Sequence, residues 1–102
     1  MSSADLGSGH LVQLSGPVTL YESTEIRESL LTALAEGRDL SIDLVTSGPW
    51  DLAGLQLLVA TVASGRNAQL KVRFIRVPKV CVEIAECCGL GSWLAEATDS
   101  YL

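Results

Sequence analysis

The sequence predicts a small α/β domain with the element order β-β-α-β-α-β-α, built on a mixed, mainly parallel sheet with helices packed mostly on one face. Short runs rich in Ile, Leu and Val alternate with longer stretches in which apolar residues recur at helical spacing. Glycines stop these helical stretches at Gly37, Gly65 and Gly89. The 102 residues are enough for one domain and too few for two. We therefore expect one domain over residues 10–102, preceded by a flexible lead-in over residues 1–9.

The first half of the chain contains two strand-like pieces and one helical piece. Residues 10–16 alternate apolar and polar side chains, Gly16-Pro17 interrupts the pattern, and residues 17–21 resume it. These two pieces are interpreted as a hairpin or as a bent strand pair. From Ser23 the apolar spacing becomes helical, with the stripe Ile26, Leu30, Leu31 and Leu34.

The second half repeats the alternation of strand and helix. Residues 39–45 predict a buried strand, residues 46–49 a turn, and residues 70–77 another strand. The helix between them carries the stripe Leu55, Leu58, Val59 and Val62. Pro78 is expected to open a last helix, whose stripe includes Val80, Ile84 and Cys88. Trp93 and Leu94 are interpreted as a contact that closes the core.

The composition excludes several classes of function. The net charge is −5, and the seven basic residues are spread out, so we expect no nucleic-acid binding. No apolar run approaches the roughly 20 residues of a membrane span. A lone histidine, the absence of a glycine-rich phosphate loop and the absence of a nucleophile–base pair argue against an enzyme, a metal site or a cofactor.

Three cysteines lie close together, at Cys81, Cys87 and Cys88. An odd number of cysteines behind an N-terminus without a signal peptide indicates a reducing compartment, so we expect a cytoplasmic protein. The three side chains are interpreted as small, buried apolar groups.

The segment "PWDLAGLQLL" joins a predicted loop to a predicted helix and is the strongest candidate site. Asp51 is a natural N-cap, since its carboxylate can accept from the amide of Ala53 or Gly54. Gly54 keeps the first turn slim enough for another backbone to approach. The large apolar residues Trp50 and Leu52 either fold into the core or form a patch for a partner, and the sequence favours neither.

Taken together, these residues resemble the STAS domain, the fold of bacterial anti-sigma-factor antagonists, over about residues 10–95. The family pattern is a strand with an Asp, a short loop, and Asp-Ser/Thr-Ser/Ala-Gly-Leu at the start of a helix. Asp43 matches the strand Asp, Asp51 matches the loop Asp, and residues 53–55 match Ala-Gly-Leu. A Gly-Leu pair that commonly ends the last helix of the family corresponds to residues 89–90.

The resemblance implies a signalling module of transcription regulation that binds a protein partner, a serine kinase or anti-sigma factor of the histidine-kinase-like ATPase type. In the family, that kinase phosphorylates the hydroxyl directly after the loop Asp, and the phosphorylated domain releases its partner. Leu52 occupies this position, so the usual site is expected to be silent. Thr46 and Ser47 are possible substitute acceptors, although hydroxyls are common in turns. The implied partner-binding residues are Ser47, Trp50, Asp51, Leu52, Ala53, Gly54 and Gln56.

Two other functions remain open at this point. STAS-like domains also serve as small cytoplasmic subunits that stabilise ABC-type lipid transporters, and the Ala-Gly form of the motif is compatible with that role. A small-molecule or nucleotide-binding domain would rest on the helix N-terminus as an anion site. Homodimer formation is also left open.

Overall fold

The computed structural model describes residues 9–98, and three of its strands form a parallel sheet in the order β1-β3-β5. These strands are β1 (Gly9–Gln13), β3 (Asp39–Asp43) and β5 (Val72–Ile75). The expected lead-in over residues 1–9 lies outside the described residues except for Gly9, which begins β1. Alternate residues of β3 and β5 are buried, namely Leu40, Ile42, Val72 and Phe74, so one face of the sheet forms the floor of the core.

A second, two-stranded parallel sheet continues from the first. It pairs β2 (Gly16–Val18) with β4 (Ser47–Trp50). The Leu14 amide donates to the Asp43 carbonyl, and the Gly16 amide to the Thr46 carbonyl, each at 3.0 Å, which links the two sheets. Of the two alternatives for residues 10–21, the bent strand pair is correct and the hairpin is wrong, because β1 pairs with β3 and β2 with β4.

The predicted turn over residues 46–49 is also wrong in part, since Ser47–Trp50 forms β4. The second strand-like piece ends early as well. After Val18 the chain enters a short 3₁₀ helix, Leu20–Glu22, instead of remaining extended.

Four α-helices cover the sheet: α1 (Ser23–Leu34), α2 (Leu52–Asn67), α3 (Lys79–Cys87) and α4 (Gly91–Ala97). Gly65 of α2 lies against Val72 of β5 and against Leu34 of α1, so α1 and α2 pack together where α2 contacts the sheet. The Trp93 ring of α4 packs against Phe74 with 5.9 Å between ring centroids, and Leu94 is buried, as predicted for a closing contact. The predicted α/β class with a parallel sheet is confirmed. None of the helices described is long and apolar enough to cross a membrane.

The predicted apolar stripe of the last helix is correct for Ile84, which is partly buried and packs against the core, and wrong for Val80 and Cys88. In α3, Cys81 and Ala85 are buried, whereas Val80 and Cys88 are exposed. The buried residues Cys81 and Ala85 have small side chains, and α3 packs against β4 and α4. The interpretation of the cysteines holds for Cys81, where burial raises the thiol pKa to about 11. It is wrong for Cys87 and Cys88, which are exposed.

Strand β2 lies unusually close to the first turn of α2. A Cβ atom added to Gly54 would lie 2.1 Å from the carbonyl oxygen of Val18 and 2.9 Å from its carbonyl carbon. Only glycine fits such a contact, because the atoms that a side chain would meet belong to the backbone. The sequence correctly predicts that a backbone approaches Gly54, and the structure identifies it as β2 of the same chain.

The contact at Gly54 makes a first prediction about stability. We expect Gly54→Ala to lower the free energy of unfolding by about 1–3 kcal/mol, the usual cost of overpacking a filled interior. Gln56→Ala, an exposed substitution one half-turn further along α2, is the matched control. Urea unfolding followed by circular dichroism measures both variants. If Gly54→Ala is as stable as Gln56→Ala, then β2 does not lie against α2 in this way.

Candidate functional site

Asp51 fixes the start of α2 and joins it to a second part of the chain. One carboxylate oxygen, Oδ1, accepts from the Gly54 amide at 2.9 Å, which makes Asp51 the predicted N-cap. The other oxygen, Oδ2, accepts from the Leu20 amide at 3.1 Å. The bond from Gly54, followed by that from Leu20, lowers the pKa of Asp51. An external anion at this helix N-terminus would meet an ionised carboxylate, which disfavours the nucleotide-binding alternative.

Trp50 and Leu52 flank the cap and have different environments. Trp50 is buried, and its Nε1 donates to the Ser47 hydroxyl at 3.0 Å. Leu52 keeps 46% of its surface exposed at the first position of α2. Each of the two alternatives that the sequence left open is therefore correct for one residue of this pair. Trp50 belongs to the core, and Leu52 is available for contact.

The 3₁₀ helix brings two further apolar side chains to the same region. Leu20 is 65% exposed and Tyr21 is 92% exposed, and the bond from the Leu20 amide to Asp51 places them next to the start of α2. A capping box between Thr19 and Glu22 holds this turn. We call Leu20, Tyr21, Leu52 and the exposed Gln56 the α2-start surface.

Sequence reasoning missed Leu20 and Tyr21, because it assigned them to a strand. A signal was present in the spacing Thr19-x-x-Glu22, which is typical of a capping box at a helix start. The contact with Asp51 had no comparable signal, since it joins residues 31 positions apart.

The remaining predicted site residues lie beneath or beside this surface. Ala53 is half-buried, and Gly54 is buried against β2. The Ser47 hydroxyl donates to the Leu44 carbonyl at 2.7 Å while it accepts from Trp50, so it is engaged within its own turn. Thr46 is exposed, and its hydroxyl shares a 2.8 Å hydrogen bond with that of Ser15.

Asp43, the other aspartate of the motif, lies away from the α2-start surface and holds a different contact. It is buried at the end of β3 and forms an ion pair with Arg76, which directly follows β5. The Arg76 Nε donates to Asp43 Oδ1 at 3.3 Å, and the Val45 amide donates to the same oxygen at 3.0 Å. The guanidinium is the main cause of the lowered pKa of Asp43. Arg76 reaches this position from a left-handed backbone conformation with φ of 51°.

No cluster of three or more His, Cys, Asp or Glu side chains within residues 9–98 has the arrangement of a metal site. The ionised Asp51 lies beside the α2-start surface, whose side chains are mainly apolar, and it fixes the first turn of the helix. Such an arrangement suits contact with another protein, because rigid apolar side chains contribute most of the binding energy at interfaces.

A family model matches most of the chain, and solved structures with the same fold are found. The family model described as "Mlab, STAS domain" matches residues 3–96. A sulfate transporter family protein from Wolinella succinogenes is structurally similar, with a TM-score of 0.74 and 13% identity over 90% of this chain and 76% of that one. Comparison with curated protein sequences gives no significant match.

Two other solved structures are also similar. The SulP transporter STAS domain from Vibrio cholerae has a TM-score of 0.63 and 13% identity, covering 90% of this chain and 73% of that one. The anti-sigma factor antagonist SpoIIAA in its unphosphorylated form has a TM-score of 0.62 and 12% identity, covering 78% and 74%. At these identities the structural similarity establishes the fold alone.

The Asp43–Arg76 pair makes a prediction about pH. The pKa of Asp43 is lowered from its ordinary value of 3.8 in the folded protein, so the ionised form stabilises the fold. This contribution is fully present above the ordinary pKa and is lost as the pH falls through the lower, folded value. We expect Arg76→Gln to destabilise the protein near neutral pH, and the difference from wild type to narrow as the pH falls below 3.8.

Urea unfolding at a series of pH values measures this difference. Arg27→Gln, an exposed arginine on α1, is the control for the loss of one positive charge. A stability difference for Arg76→Gln that stays constant from neutral to acid pH would show that Asp43 is not stabilised by the guanidinium.

Proposed function

The chain belongs to the STAS domain family described as "Mlab, STAS domain", and we propose that it is a bacterial signalling module that binds a protein partner through the α2-start surface. The family resemblance predicted from the sequence is thereby confirmed. STAS domains are regulatory and protein-interaction modules, and SpoIIAA is an anti-sigma factor antagonist by description. The proposed partner is a serine kinase or anti-sigma factor of the histidine-kinase-like ATPase type.

The observation that carries this proposal is the exposure of Leu52 at the start of a rigid helix. Asp51 caps the helix and holds Leu20 beside it, so Leu52, Leu20 and Tyr21 are presented on a fixed backbone. A fixed surface loses little conformational entropy on binding, which leaves more of the apolar contact as affinity. The buried residues Trp50 and Gly54 contribute by holding the surface in place.

We further propose that the domain acts as a permanently unphosphorylated binder. Leu52 has no hydroxyl to accept a phosphoryl group and no charge to imitate one. Ser47 is a poor substitute, because its oxygen takes part in two hydrogen bonds within its own turn. Thr46 is more accessible, although its hydroxyl is bonded to Ser15.

A role beside a transporter is the second candidate. Two of the structurally similar proteins are a sulfate transporter family protein and a SulP transporter STAS domain. In that case, the same surface would contact a transporter subunit in place of a kinase. Co-expression with each candidate partner, followed by size-exclusion chromatography, separates the two roles. The free thiols of Cys81, Cys87 and Cys88 support a cytoplasmic location for either.

Substitution of Leu52 tests the docking surface directly. We expect Leu52→Asp to weaken binding of the kinase at least about tenfold, because burying a leucine contributes about 1.5–3 kcal/mol and the new carboxylate lies beside Asp51. Leu31→Asp is the matched control, since Leu31 is a leucine of similar exposure, 39% against 46%, on α1. Isothermal titration calorimetry measures affinity, and circular dichroism checks the fold.

Each result has a definite meaning. A folded Leu52→Asp variant that binds as tightly as wild type would place the docking surface elsewhere. Equal weakening by Leu31→Asp would indicate a general effect of added negative charge. Loss of folding in Leu52→Asp alone would mean that the side chain belongs to the core.

The silent phosphorylation site has its own test. After incubation with ATP and the kinase, we expect the intact mass of the wild-type protein to be unchanged, and that of Leu52→Ser to gain one phosphoryl group. A phosphoryl group on the wild-type protein at Thr46 or Ser47 would show that the acceptor has moved within the loop and that the domain is still switched.

A further inference from the structure

A cleft of about 430 Å³ lies at the other end of α2 from the α2-start surface. Its walls come from the last turns of α2, from β5 and from α4, and it is open to solvent on one side. The volume falls within the range of small-molecule sites, about 300–1,000 Å³. None of the residues considered above as partner-binding residues lines it.

The cleft collects positive charge in a protein of net charge −5. Arg66, Lys71 and Arg73 are three of the seven basic residues in the sequence, and all three line the cleft, where Glu96 is the one carboxylate among the described lining residues. Within the part of the chain that the structure describes, no carboxylate forms an ion pair with the side chain of Arg66 or Lys71, and Asp39 Oδ1 accepts from the backbone amide of Lys71 at 3.0 Å. Arg73 donates from Nη2 to the Thr98 carbonyl at 3.3 Å.

The turn after α2 sets the position of two of these cations. The Leu70 amide donates to the Gly65 carbonyl at 2.8 Å, which closes the helix C-terminus and leads the chain directly into Lys71. Gln69 in this turn has a left-handed backbone with φ of 62°, a conformation that favours glycine. Arg66 before this turn and Lys71 after it both line the cleft.

The walls between the cations are apolar. Val62 and Leu70 are partly buried and pack against the core, and the Trp93 ring is fixed by its tilted contact with Phe74. Fixed apolar walls beside flexible cationic side chains complement a ligand with an apolar part and an anionic part. Cations that contact only water do not require apolar neighbours, whereas these cations lie beside an indole ring and aliphatic side chains.

We propose that this cleft binds a small anionic amphiphile, a molecule that joins a phosphate or carboxylate to an aliphatic group. Arg66 and Lys71 bind the anionic group, and Trp93, Val62 and Leu70 contact the aliphatic part. The proposal is independent of the docking role of the α2-start surface.

Nuclear magnetic resonance on the full chain tests the proposal with dodecyl phosphate below its micelle concentration as the probe. We expect the Trp93 indole signal and the amides of residues 66–71 to shift on titration, while the Trp50 indole signal stays in place. Inorganic phosphate has only the anionic group of the probe, and dodecyl maltoside has only its aliphatic chain. Each is expected to bind at least about tenfold more weakly than dodecyl phosphate.

Two double variants distinguish binding in the cleft from general electrostatic attraction to the protein. Arg66→Gln/Lys71→Gln should weaken dodecyl phosphate binding at least about tenfold. Arg27→Gln/Lys79→Gln changes the net charge by the same amount at exposed positions outside the cleft and should leave binding unchanged. Amide spectra of both variants check the fold.

Four results would overturn the proposal. Equal weakening by the two double variants would mean non-specific attraction, and equal binding of dodecyl maltoside would mean a purely apolar surface. Inorganic phosphate that binds as tightly as dodecyl phosphate would remove any role for the apolar walls. A hexaglutamate peptide that shifts the same signals at lower concentration than dodecyl phosphate would assign the cleft to an acidic protein partner.

Discussion

The contact between the Val18 carbonyl and Gly54 is the constraint on which the rest of the site depends. It allows β2 to lie directly against the first turn of α2, and the Asp51 amide donates back to the same carbonyl at 3.4 Å. With the two backbones held at this distance, the Asp51 carboxylate reaches both the Gly54 amide and the Leu20 amide. The exposed leucines at positions 20 and 52 therefore share one rigid support, although 31 residues separate Leu20 from Asp51.

The parts of this arrangement that depend on local sequence could be predicted. The helical period of residues 55–62 and the capping chemistry of Asp51 predict α2 and its N-cap, and both are confirmed. Strand β4 could not be predicted in the same way, because Gly48-Pro49 is typical of a turn. The proline is tolerated there since β4 has one partner, β2, in a two-stranded sheet, where a missing amide costs little.

The wrong predictions share one physical cause. In each case the local sequence is compatible with more than one structure, and contacts between residues far apart in the sequence decide which of them forms. In α3, Cys81 and Ala85 are buried whereas the equally apolar Val80 is exposed, so the face that α3 turns to the core is set by its packing and not by local hydrophobicity. The pairing of β1 with β3, in place of a hairpin with β2, is likewise set by strands far apart in sequence. The position of Tyr21 next to α2 depends on the bond between Leu20 and Asp51, so the sequence alone could indicate the turn but not its neighbour.

In the proposed role, the charge at the start of α2 determines how binding can be regulated. In a phosphorylated relative, a phosphoryl group beside the capping Asp adds about −2 in charge and repels an acidic partner. Here position 52 is neutral, and the lowered pKa of Asp51 keeps that carboxylate ionised through the physiological range. Neither Leu52 nor Asp51 can therefore change the charge of this region between one state of the protein and another. Binding would then be controlled by the concentrations of the domain and its partner, or by competition for the surface, and not by a switch within it.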